Sequence, residues 1–225
     1  MVSSQTWLRR QKSSLADSPE ADMKKIAVLA SGRGSNFQAV LDSIAAGKIN
    51  GECIALLTDN KDSYSIERAK NAGIPAIIHN FKDYPDKASF EADLLASMKE
   101  TGADLFVCAG YMRIIGPEIA RTFAGRMLNI HPALLPAFPG LHAQKQALDY
   151  GVKIAGCTVH FVDEGLDSGP IIIQKAVPVF DDDDEDAIDA RILEQEHIAY
   201  SEAIALFCDD RLKIEGRKVR VLPKV

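Results

Sequence analysis

The chain has 225 residues, 47% hydrophobic and 26% charged, with a net charge of −6 and a pI near 5.4. That is globular composition with length enough for a sizeable core. No apolar run is long enough to span a bilayer, and the acidic balance offers no overall nucleic-acid-binding surface. The four cysteines, Cys53, Cys108, Cys157 and Cys208, lie far apart without a Cys-x-x-Cys pair, and read as buried free thiols of a cytoplasmic protein.

Residues 1–22 are Ser-rich, lack a hydrophobic period and mix Arg9, Arg10 and Lys12 with Asp17, Glu20 and Asp22. They read as a disordered tail, or as residues ahead of a start at Met23, rather than as a secretory signal. The catalytic domain is expected over residues 23–225. Residues 24–30, with Ile26, Ala27, Val28 and Leu29 in succession, predict a buried parallel strand. Ser31-Gly32-Arg33-Gly34-Ser35-Asn36 follows directly, and a helix is expected over 36–46, with Phe37, Val40, Leu41 and Ile44 on one face and Gly47 as its stop. Strand, glycine loop and helix together aim backbone N–H groups and a helix dipole at an anion. Gly32-Arg33-Gly34 also begins a dinucleotide fingerprint, with Asp59 where a ribose-binding acid would stand, but Phe37 occupies the place of the third glycine. The loop is thus open to three readings: a monophosphate site to which Ser35 and Asn36 add donors, a nicotinamide site, or a turn that binds nothing.

Strands over 53–57, 76–79 and 103–109 alternate with helices over 65–71 and 87–99, the second carrying Phe90, Leu94, Leu95 and Met98 at helical spacing. This alternation predicts a parallel sheet with right-handed crossovers. Gly110-Tyr111-Met112-Arg113-Ile114-Ile115 is an oddly apolar loop, either core or the wall of a pocket for a flat organic ring. Pro117 opens a short helix.

Residues 127–131, Met-Leu-Asn-Ile-His, predict a strand that points Asn129 and His131 to one side. Pro132 ends it, and further prolines with Gly140 impose an irregular loop. An amide beside an imidazole at a strand's carboxyl end suits an oxygen that gains negative charge. The plain alternative is a polar strand end before a Pro-rich turn. A helix over 142–150, a half-exposed strand over 154–162, an acidic turn over 163–170 and a returning strand over 171–179 follow, the two strands forming a hairpin-like pair. The acidic run 181–186 reads as a solvated loop and negative helix N-terminus. A long helix over 185–208, with Ile188, Ile192, His197 and Tyr200 inward, and a small hairpin over 212–221 close the chain. The expected fold class is a single α/β domain, Rossmann-like and parallel in its amino-terminal half, continuing into a mixed sheet. His79, His131, His142, His160 and His197 have no metal-ligand spacing, and no Gly-x-Ser-x-Gly elbow is present. Acid–base and oxyanion chemistry around His131 is what is left, with the nearest candidate carboxylates in the turn around Asp167.

Asn-Ile-His-Pro-Ala-Leu-Leu-Pro at 129–136, Gly-Leu-His at 140–142 and Leu-Asp-Ser-Gly-Pro at 166–170 resemble the formyltransferases that use 10-formyltetrahydrofolate. Ser-Gly-Arg-Gly-Ser-Asn-Phe-Gln at 31–38 is similar to the phosphate loop of the branch acting on glycinamide ribonucleotide (GAR) in purine synthesis, and Gln195-Glu196-His197 matches that branch too. The resemblance runs from about residue 24 to residue 222. It implies 10-formyltetrahydrofolate as co-substrate with no metal and no nicotinamide, GAR and reduced folate as the small-molecule partners, and a monomer or homodimer. It implies Gly34, Ser35 and Asn36 on the phosphate and Glu196 on the ribose. Met112, Arg113, Ile114 and Ile115 would clasp the pterin together with Asn129 and Asp167, and Lys87, where similar enzymes carry arginine, would reach the folate glutamate tail. Asn129 and His131 would bond the oxyanion, with Asp167 orienting His131. The alternatives are a hydrolase that gives the formyl group to water and, more distantly, a nicotinamide-dependent oxidoreductase.

Overall fold

In the computed structural model, which describes residues 23–224, the apolar run after Met23 forms β1 (Lys24–Leu29) and the glycine loop turns at once into α1 (Ser35–Ala45). The expectation for residues 1–22 lies outside the described residues. The chain then alternates through β2 (Gly51–Thr58), α2 (Ser65–Asn71), β3 (Ala76–Ile78), α3 (Lys87–Thr101), β4 (Leu105–Cys108), α4 (Pro117–Thr122) and β5 (Met127–His131). Beyond the Pro-rich loop come α5 (Ala143–Tyr150), β6 (Ile154–Phe161), β7 (Ile171–Pro178), α6 (Glu185–Cys208), β8 (Leu212–Glu215) and β9 (Lys218–Val221).

The nine strands of the described residues join one sheet in the order β3-β2-β1-β4-β5-β6-β7-β9-β8. The pairs from β3 to β5 are parallel; β5–β6 and β6–β7 are antiparallel. The expected parallel half continuing into a mixed sheet is what forms. Order reverses between β1 and β4, so the loops after these two strands face each other across the crevice where open α/β sheets bind ligands.

Period-2 alternation sends neighbouring residues to opposite faces. Ile26 and Val28 pack with Phe37, Val40, Ile188, Ile192 and Tyr200 under α1 and α6, while Ala27 and Leu29 pack with Phe90, Leu94, Met98 and Phe123 under α3 and α4. Each fully buried Ile or Leu adds roughly 1.5–3 kcal/mol. Asp184 caps α6 by accepting from the Ala187 N–H, as the acidic run suggested. The buried Tyr200 hydroxyl lies 2.9 Å from the Cys108 carbonyl and 3.0 Å from that of Leu128, which ties α6 to β4 and β5 behind their carboxyl ends.

Several expectations need correction. Strand β6 is not half-exposed but buried from Ala155 to Phe161. Its apolar side lies under α6, and its polar Thr158 is buried because it is fully bonded: Oγ1 donates to the Ala133 carbonyl at 2.6 Å and accepts from the Leu135 N–H at 3.0 Å. His197 is only half-buried; its neighbour Glu196 turns inward instead. Cys108, Cys157 and Cys208 are buried free thiols, but Cys53 is half-buried.

Candidate active site

Strand β5 delivers Asn129 and His131 to the side of Met127, facing away from α6. The antiparallel register sets His160 opposite Asn129 and Thr158 opposite His131. Asn129 Nδ2 lies 3.2 Å from His160 Nε2, and His160 Nδ1 lies 2.8 Å from the Phe161 carbonyl. Nδ1 therefore carries the proton, and Nε2 accepts from the Asn129 amide, fixing that amide's orientation. Burial holds the His160 pKa below the ordinary imidazole value, against the opposing pull of Asp167.

Asp167 arrives from the acidic turn. The turn folds tightly onto β6 because Gly169 has no side chain: a Cβ there would meet the Phe161 carbonyl oxygen at 1.8 Å. Asp167 Oδ2 accepts from the Gly140 N–H at 2.8 Å and lies 3.4 Å from His131 Nδ1, while Oδ1 lies 3.8 Å from His160 Nε2. His131 Nε2 lies 2.8 Å from the Phe138 carbonyl. Asp167, distant in the chain from Asn129 and His131, thus joins them at the carboxyl end of β5. His160 completes the cluster and was missed by sequence reasoning; its only signal was its placement two residues from Thr158 on an alternating strand.

At the other loop, Gly34 takes the left-handed conformation at φ 67° and opens α1, whose first N–H groups have no partner within the helix. Ser35 and Asn36 occupy that first turn. The Asn36 side chain donates its Nδ2–H to Glu196 Oε2 at 2.8 Å, so this donor faces α6 rather than being free for an anion; its Oδ1 is buried without a partner. Burial pushes the Glu196 carboxyl up to about 7, partly offset by the Asn36 bond.

This shift has a stability consequence. A carboxyl raised from its ordinary 4.5 to about 7 keeps its proton in the folded chain where the unfolded chain has lost it. Its stabilising contribution is complete below pH 4.5 and disappears as pH rises through 7. The parent is therefore expected to lose about 3 kcal/mol relative to Glu196→Gln across that window. Urea midpoints at a series of pH values check this; parallel profiles for the two proteins would refute it.

The apolar loop over 110–116 is not core: Met112 is 64% and Ile114 61% exposed, while Ile115 packs against the α3 side. Its backbone is held by the first residue of the glycine loop. The Ser31 N–H donates to the Gly110 carbonyl at 3.1 Å, and Ser31 Oγ accepts from the Met112 N–H at 2.9 Å. Arg113 donates from Nε to Asp59 Oδ2 at 2.6 Å and stacks on the Phe81 ring at 3.5 Å. Asp59, the residue standing where a nicotinamide site would place its ribose-binding acid, is thus paired through Oδ2 with a guanidinium. Lys87 opens α3 with Nζ 3.3 Å from Glu91, whose carboxylate lies against Gly116, so it stands at the far end of this loop. Among the described residues no group of three or more His, Cys, Asp or Glu could hold a metal ion, and no helix is long and apolar enough to cross a membrane.

A glycine loop at a helix start and the cluster of Asn129, His131 and Asp167 flank one crevice of a Rossmann-like sheet. The chain belongs to the formyl transferase family, whose model matches residues 24–204. It is 43% identical over 189 residues to phosphoribosylglycinamide formyltransferase of Escherichia coli (strain K12), covering 84% of this chain and 89% of that protein. It is 44% identical over 185 residues to the trifunctional purine biosynthetic protein adenosine-3 of Drosophila melanogaster, covering 81% of this chain but spanning only 14% of that longer protein. Glycinamide ribonucleotide transformylase 1 from Symbiobacterium toebii superposes with a TM-score of 0.88 at 48% identity, over 93% of this chain and 98% of that one. A formyltetrahydrofolate deformylase from Pseudomonas syringae pv. tomato str. DC3000 superposes at 0.84 but with 26% identity, over 91% of this chain and 67% of that one.

Proposed function

We propose that this chain transfers the formyl group of 10-formyltetrahydrofolate to the amine of GAR, giving N-formyl-GAR and tetrahydrofolate. The observation that carries this reading is the convergence of Asn129, His131 and Asp167 beside two facing loops, one built for an anion and one exposing apolar side chains. GAR lies with its 5′-phosphate on the N–H groups of Gly34, Ser35 and Asn36. Its ribose meets Glu196, whose carboxyl is oriented by the Asn36 amide. The folate ring rests on the loop of Met112, Arg113, Ile114 and Ile115, between Asn129 and Asp167, and Lys87 offers its ammonium to the glutamate tail.

The GAR amine attacks the formyl carbon, and the carbonyl oxygen becomes an oxyanion. Asn129, its amide held by His160, and His131 donate to that oxygen as its charge grows. The His131 Nε2–H is shared with the Phe138 carbonyl, so the Pro-rich loop yields this proton as the oxyanion forms. Asp167 holds the other side of the ring. The proton lost by the attacking nitrogen is passed to N10 of the folate, which leaves as the C–N10 bond breaks.

The test is to mix the protein with 10-formyltetrahydrofolate, with and without GAR, and to follow free tetrahydrofolate. Release only when GAR is present is expected. Equal release without GAR would identify a hydrolase, and no release in either mixture would overturn formyl transfer altogether.

A further inference from the structure

One cation packed into the phosphate loop belongs to neither the glycine motif nor the triad. Arg68, on α2, is half-buried and reaches back across the loop. Its Nε donates to the Arg33 carbonyl at 2.8 Å and its Nη1 to Gln38 Oε1 at 3.0 Å. Its Cδ lies beside Gly34, where an added Cβ would meet it at 3.4 Å. The Tyr64 ring lies 5.1 Å from the guanidinium carbon. The guanidinium therefore grips the loop on both sides of Gly34, at the peptide before it and on the first turn of α1.

Peptide geometry gives this grip a consequence. In a trans peptide the C=O and the following N–H point in opposite directions. Holding the Arg33 carbonyl toward Arg68 aims the Gly34 N–H away from α2, toward the mouth of the loop. The preceding peptide is held the same way, because the Gly32 carbonyl accepts from the Ser63 hydroxyl at 2.8 Å and from the Ser65 N–H at 3.2 Å. Two carbonyls that would repel an anion are thus turned onto α2. Behind them stands a permanent positive charge in a chain whose net charge is −6.

We propose that Arg68 is a positioning residue for the nucleotide phosphate: it aims the Gly34 N–H and supplies fixed positive charge behind the loop. This rests on the reading of the loop as the GAR 5′-phosphate site. The test compares the parent with Arg68→Met, which keeps length without charge or donors, and Arg68→Lys, which keeps charge without the forked grip. Substrates are GAR and the same glycinamide riboside without its phosphate, and GAR binding is also measured by calorimetry in the absence of folate. Arg68→Met is expected to raise KM and Kd for GAR at least about 10-fold, as expected for losing a charge-assisted bond. Its kcat at saturating GAR and its KM for 10-formyltetrahydrofolate stay within about two-fold, and kcat/KM for the riboside matches the parent. Arg68→Lys falls between the two. An equal loss on GAR and on the riboside, or unchanged GAR affinity in both variants, overturns the proposal. A parent that neither binds nor formylates GAR overturns instead the functional reading on which it stands.

Discussion

Asp167→Asn is expected to lower kcat on the order of 10²-fold or more, the usual loss on removing a positioned acid–base or electrostatic group. The substitution isolates charge from shape. Asp167 sits at φ 48°, a conformation that Asn tolerates nearly as well as Asp, so the turn persists. The amide oxygen retains the Gly140 N–H, and the Pro-rich loop stays anchored through Thr158 and Gln174, whose Nε2 donates to the Leu135 carbonyl at 2.9 Å. What disappears is the negative charge 3.4 Å from His131 Nδ1. That charge stabilises His131 as a donor at the moment the oxyanion forms, when the interaction is worth most. KM for GAR should move little, because its phosphate binds at the other loop. Steady-state kinetics with both substrates saturating measures the effect. An unchanged kcat would leave Asp167 as a turn residue and send the proton path elsewhere.

Gly34→Val should raise KM for GAR by more than about 10-fold, with KM for 10-formyltetrahydrofolate nearly unmoved. Gly34 lies at φ 67°, where an L side chain costs roughly 1–2 kcal/mol and a β-branched one fits worst. The first side-chain carbon alone would sit 3.0 Å from Ser65 Cβ and 3.3 Å from Ser65 Cα, and valine adds two methyls. The loop must move away from α2, and the N–H groups that face the phosphate move with it. The folate loop is tied instead to Ser31, which lies ahead of Gly34 and away from the Ser65 contact, and so is spared. Measuring both constants separates the cases, since equal weakening of the two substrates would make the loop structural.

The sequence alone carried the element types, because strand and helix periods are local properties of a chain. The apolar runs at Ile26 and Leu105, the helical spacing of Phe90, Leu94 and Met98, and the stop at Pro132 each name their element without reference to anything distant. The same locality put Asn129 and His131 on one side of β5 and a glycine loop ahead of α1. What only the tertiary structure decided is which distant groups meet. A period-2 pattern names a strand's faces but not its partner's register, so His160 opposite Asn129 was invisible until β6 paired with β5. Two adjacent polar residues on α6 differ by about a third of a turn, and only packing against α1 turned Glu196 inward rather than His197. Asp59 was legible as an acid at a strand end, but its capture by Arg113 depends on how the loop after β4 folds back across the crevice. Arg68 looked like any cation on a short helix, and only the close approach of α2 to Gly34 brought its guanidinium onto the phosphate loop.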